Sequence, residues 1–143
     1  MNTNMRLVAL ILILIAPTWA VADAYICLGE KSTGFIYDKN SNSWETRYFN
    51  AGNAKYLVST EKKTVRLFGR EKALFDNCVA GSAKTKSGKK TKIFFCGAPD
   101  GNFIMSTDAL KFTYSGVGFD YAVGEMREGV GTPVLTIGTC TIF

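Results

Sequence analysis

Apolar and polar residues alternate in short runs along most of the chain, and turn-forming residues interrupt them about every eight to twelve positions. A period of two marks half-buried β-strands, because successive side chains of a strand point to opposite faces. Among the runs that read as strands are 25–28, 34–37, 44–49, 54–59, 64–69, 75–80, 91–97 and 119–123. Within 44–49, Trp44, Thr46 and Tyr48 share one face, opposite Glu45, Arg47 and Phe49. Leu110, Phe112 and Tyr114 similarly oppose Lys111, Thr113 and Ser115. Residues 38–43 are a turn by composition, since Asp, Asn and Ser bond to their own backbone. Ala98-Pro99-Asp100-Gly101 is another, with Pro presetting φ and Gly permitting its positive values. Ser106-Thr107-Asp108 is suited to capping one helical turn, yet no segment has the length and period of a full helix. The expected fold is all-β: a small antiparallel β-barrel of about 8–9 short strands, with a β-sandwich as the alternative.

The first 22 residues break this pattern. Arg6 supplies a positive start, Leu7 to Ile15 is continuously apolar, and Ala20-Val21-Ala22 offers a small-residue cleavage site. That order is a secretory signal peptide, which leaves residues 23–143 as a single domain. The apolar run is too short to cross a bilayer, which takes roughly 20 residues, and no second such run follows. The expected location is therefore periplasmic or secreted, with no transmembrane segment after cleavage.

Export changes how Cys27, Cys78, Cys96 and Cys140 are read. An even number of cysteines in an oxidising compartment implies disulfides, and the absence of a C-x-x-C spacing argues against a redox pair or zinc ribbon. Ser87-Gly88 lies midway between Cys78 and Cys96, so a hairpin turning there sets these two opposite each other, given a bulge or a three-residue loop. Cys27 and Cys140 then fall on first and last strands, which closure of a barrel makes neighbours. The expected pairs are Cys27–Cys140 and Cys78–Cys96.

Composition narrows the chemistry. The chain has no histidine, which excludes Ser-His-Asp and Cys-His catalysis and histidine-ligated metal. Two facing carboxylates are the remaining hydrolytic option. Asp76, Asp100, Asp108 and Asp120 are scattered through predicted turns and strand ends, where solvated acids are common. No enzymatic activity, cofactor or metal is expected, with a carboxylate-based hydrolase as the third reading. Ser115-Gly116-Val117-Gly118 and Gly129-Val130-Gly131 precede no helix, so they read as hairpin turns rather than phosphate-binding loops.

The net charge of +5 is mildly basic, and its sharpest concentration is at 83–92. Lys84, Lys86, Lys89, Lys90 and Lys92 occur there with no acid between Asn77 and Pro99. On a hairpin, Lys84, Lys86, Lys90 and Lys92 are expected on one face as a cationic finger for phosphate or carboxylate oxygens. Edge lysines also guard sheets against edge-to-edge aggregation, which is the competing explanation. No aromatic residue lies between Val79 and Ile93 to stack bases, so nucleic acid is not an expected partner. The first reading is thus a binding protein for an anionic component of the cell envelope or host surface.

The start Tyr25-Ile26-Cys27, the all-β body and a cysteine near the C-terminus resemble the small periplasmic barrels that inhibit C-type lysozyme. In that family a loop bearing Ser-Gly…Tyr enters the lysozyme cleft. The nearest counterpart here is Ser115, Gly116 and Tyr121, at a different spacing. The resemblance implies the alternative function, inhibition of a secreted wall-degrading enzyme.

Overall fold

Strands that alternate in this way are stable only if their apolar faces are turned toward one another, and this chain does so by curling one sheet. The computed structural model describes residues 24–117 and 132–143. Ten strands are present among them: β1 (Ala24–Asp38), β2 (Ser43–Phe49), β3 (Lys55–Ser59), β4 (Thr64–Leu67), β5 (Ala73–Phe75), β6 (Val79–Lys84), β7 (Lys90–Ala98), β8 (Gly101–Ser106), β9 (Lys111–Gly116) and β10 (Val134–Ile142). All pairings are antiparallel, in the order β5-β4-β3-β1-β10-β9-β8-β7-β6, with β2 also beside β1. The single curled half-barrel sheet bears out the all-β expectation and excludes the two-sheet sandwich.

The connection between β5 and β6 forces the curl. These strands occupy opposite margins of the sheet, yet only Asp76, Asn77 and Cys78 join them. Three residues reach about 14 Å at most between the strand ends, so the two margins must approach. Two cross-links hold them there: Cys78 bonds to Cys96 of β7, and the Cys78 N–H donates to the carbonyl of Lys63 at 3.0 Å. The second disulfide joins Cys27 and Cys140, which face each other across β1 and β10. Both expected pairings are present.

Aromatic rings fill the concave face. Tyr56 of β3 packs edge-on against Phe103 of β8 and Phe112 of β9, each with centroids 5.4 Å away. Phe103 and Phe112 stack at 5.3 Å. Phe75 of β5 reaches Tyr114 of β9 at 6.4 Å. Strands β3 and β9 are separated by two others in the sheet, so these contacts run through the interior rather than along it. Burying the Ser32 and Thr136 hydroxyls is tolerated because they hydrogen-bond to each other at 2.8 Å.

Several predicted boundaries shift. Runs 25–28 and 34–37 are one strand, β1, continuous past an irregularity between Gly29 and Lys31. Gly29 and Gly138 face each other there, and a Cβ on Gly138 would lie 2.0 Å from the Leu28 carbonyl oxygen. The run 75–80 is broken: β5 ends at Phe75 and β6 starts at Val79, because the chain changes sheet margins between them. Residues 107–110 form a turn, with the Ser106 hydroxyl accepting from the Ala109 N–H at 3.0 Å. The only helical element among the described residues is a 3-10 turn at Ala51–Asn53. The proposed leader 1–22 and the run 119–123 lie outside the described residues.

Candidate functional site

The lysine-rich segment forms the β6–β7 hairpin, at one margin of the sheet. Pairing of Val79 with Phe95 through Lys84 with Lys90 places a three-residue loop, Lys86-Ser87-Gly88, at the tip. Thr85 N–H donates to the Lys89 carbonyl and Gly88 N–H to the Thr85 carbonyl, both at 2.8 Å. Gly88 has a φ of 82°, the left-handed conformation that such a loop requires and that glycine adopts without steric cost. This is the odd-numbered loop that sets Cys78 opposite Cys96.

Register decides which lysines act together. Residues paired across antiparallel strands share a face, so Lys84 and Lys90 stand side by side and Lys92, opposite Ser82, continues the row. Lys86 lies in the loop, which corrects the expected one-face set of Lys84, Lys86, Lys90 and Lys92 to three members. Lys89 sits at the loop base. All five are exposed, as is every residue of β6. None makes a side-chain ion pair among the described residues. Like charges placed directly across a sheet repel, and the Lys84–Lys90 pair has no carboxylate to relieve it. The Asp108 carboxylate reaches the base of this hairpin through the backbone: its Oδ2 accepts the Lys92 backbone N–H at 2.7 Å and the Thr91 hydroxyl at 3.4 Å. Beyond β7 the margin of β6 carries no backbone ladder among the described residues.

The other predicted positions are spread through the fold. Ser115 and Gly116 close β9, paired on one side with Leu135 and Val134 and on the other with Asn102 and Gly101. They are therefore sheet residues, and Tyr121 lies outside the described residues. Asp76 accepts from the Asn77 amide at 3.1 Å. Asp100 sits in the β7–β8 turn, at the opposite end of that strand pair from Asp108. Asp120 is outside the described residues. Among the described residues no three His, Cys, Asp or Glu side chains gather as a metal site.

Sequence reasoning missed an exposed apolar surface on the convex side of β1, β2 and β10. Phe35, Leu135 and Tyr48 are 48%, 46% and 86% exposed. A groove of about 380 Å³ lies between Phe35, Trp44, Val117 and Pro133. Alternation alone marks these as one face of a strand; it does not say that β2 lies off the main strand order, beside β1.

Two phenols in the interior are perturbed. Burial raises the Tyr56 pKa well above its ordinary value, with the neighbouring Tyr114 phenol adding to the effect. Tyr114 is raised by burial and then by the Asp100 charge. Both are therefore neutral hydroxyls at physiological pH. No family model, curated protein or solved structure matches the chain.

Proposed function

We propose that this protein is an exported, non-enzymatic binding protein that holds a phosphate-bearing anionic component of the cell envelope or host surface on its β6–β7 hairpin. The observation that carries this reading is the directly opposed Lys84–Lys90 pair, extended by Lys92 on the same face, with no ion-pair partner among the described residues. A row of uncompensated cations costs folding stability and gains it back when an anion bridges them. Lys86 at the tip and Lys89 at the loop base add further positive charge at this end of the hairpin. Both disulfides support folding in an oxidising compartment. Among the described residues no helix is long and apolar enough to cross a membrane.

The test uses vesicles of acidic phospholipid, with neutral vesicles as control. Each lysine near an anionic surface contributes about 1 kcal/mol, so changing all five to glutamine should weaken binding by more than about a thousandfold. Binding by the parent protein should also fall steeply as salt rises. Equal binding by the parent and the five-fold glutamine variant would refute the proposal, as would equal affinity for neutral vesicles.

A further inference from the structure

The β2 strand has a margin that is matched to itself. Among the described residues β2 pairs with β1 alone. The direction of its backbone groups follows from one hydrogen bond. Phe35 donates its N–H to the Pro133 carbonyl at 3.0 Å, toward the β10 side of β1. Alternate residues of a strand address opposite edges, so Gly34 and Ile36 face β2 and bond to their partners there, Arg47 and Glu45. The Thr33 hydroxyl, donating to the Arg47 carbonyl at 3.2 Å, agrees with that direction. Thr46 and Tyr48 consequently present their N–H and C=O groups to the margin away from β1.

We infer that two copies of this chain associate through these margins, as an antiparallel β2–β2 pair centred on Thr46. In that register Thr46 faces Thr46 across the symmetry axis and exchanges both backbone hydrogen bonds with it. Glu45 of each copy then stands opposite Arg47 of the other. These are non-hydrogen-bonded positions, where facing side chains come closest, and the opposite charges meet twice. Glu45 and Arg47 are exposed and have no ion-pair partner within the described part of one chain. On the other face, Trp44 of each copy comes beside Tyr48 of the second, an aromatic pairing of the kind that stabilises adjacent strands. The remaining registers lack this match. A shift of the centre by one residue opposes Glu45 to Glu45 or Arg47 to Arg47, and it also misaligns the backbone donors and acceptors. A centre at Trp44 or Tyr48 leaves most of the strand unpaired. Only the Thr46 centre pairs all of Ser43–Phe49. The strand contains neither proline nor an irregularity in its pairing with β1, and either of those would have guarded the edge. The interface is isologous, so it closes as a dimer without propagating.

Sedimentation velocity on the purified, oxidised protein over a range of concentrations tests this. The parent should dimerise. Glu45→Arg alone and Arg47→Glu alone should each raise the dimer dissociation constant about tenfold or more, because either converts both cross-strand attractions to repulsions. The double exchange Glu45→Arg/Arg47→Glu should restore the parent value, which also shows that the fold accommodates both substitutions together. Thr46→Pro should give a monomer, since the amide it removes points away from β1. A parent that stays monomeric at the highest concentration reached would overturn the inference. So would a dimer indifferent to the single exchanges, or a double exchange as weak as the singles, both of which place the contact elsewhere.

Discussion

The two disulfides close loops of very different length, and that difference predicts how each removal changes stability. Cys27 and Cys140 are 113 residues apart in sequence, and Cys78 and Cys96 are 18 apart. Restricting the unfolded chain over these loops is worth ~4.8 kcal/mol for the long one and ~3.2 kcal/mol for the short one. All four half-cystines are buried, so replacing either pair by alanine loses a similar amount of packing and the comparison isolates chain entropy. The Cys27→Ala/Cys140→Ala variant should therefore be the less stable by ~1.6 kcal/mol in equilibrium urea unfolding. Total stabilities of small domains are about 5–15 kcal/mol, so this variant retains little. The local consequences run the other way. The ladder from Tyr25 to Gly34 holds β1 to β10 without their bridge. At the β5–β6 seam, by contrast, the Cys78–Cys96 bond is one of only two cross-links described above. Hydrogen exchange in β6 and β7 should accelerate in Cys78→Ala/Cys96→Ala, while β1 and β10 stay protected. If that second variant proved globally less stable than the first, loop length would not govern the contribution of these bridges.

Three further outcomes are expected. Gly138→Ala should destabilise the fold by about 3 kcal/mol or more, because its Cβ would meet the Leu28 carbonyl at 2.0 Å and the Phe112 ring at 2.6 Å; urea unfolding reads this directly. Gly81→Ala, whose Cβ meets only Ile93 at 3.9 Å, should change stability by no more than about 1 kcal/mol in the stabilising direction, through a less flexible unfolded chain. The raised pKa of Tyr56 means that the folded state keeps a proton which the unfolded chain releases above about pH 10. Stability is thus unaffected by this group below that pH and falls as pH rises beyond it; Tyr56→Phe should flatten the decline in alkaline urea titrations, and an unchanged slope would assign it to other groups.

Much of this molecule was legible because the signals are local. The alternation at 54–59 and 91–97 gives strands wherever one side of a sheet is buried, and β3 and β7 lie within a residue or so of those runs. The Cys78–Cys96 pair followed from a turn midpoint, since register across a hairpin is set by its loop. The lysine hairpin was visible for the same reason, although the loop geometry took Lys86 out of the shared face. Contacts between distant segments left no such local trace. Nothing in the alternation of 75–80 reveals that the chain leaves one sheet margin at Phe75 and enters the other at Val79, because a strand carries no local mark of which margin it joins. The pairing that joins 25–28 and 34–37 into one strand likewise depends on Gly138, over a hundred residues away, allowing the backbones to approach at Gly29. The margin of β2 that has no partner among the described residues was equally hidden, since which edge of a strand remains unpaired depends on where every other strand has gone. Residue order therefore determined which segments extend and which cysteines can meet across a turn. Only the folded sheet decided which edges and which side chains remain available to a partner, because side-chain periodicity records burial on a face and carries no information about neighbours in the plane.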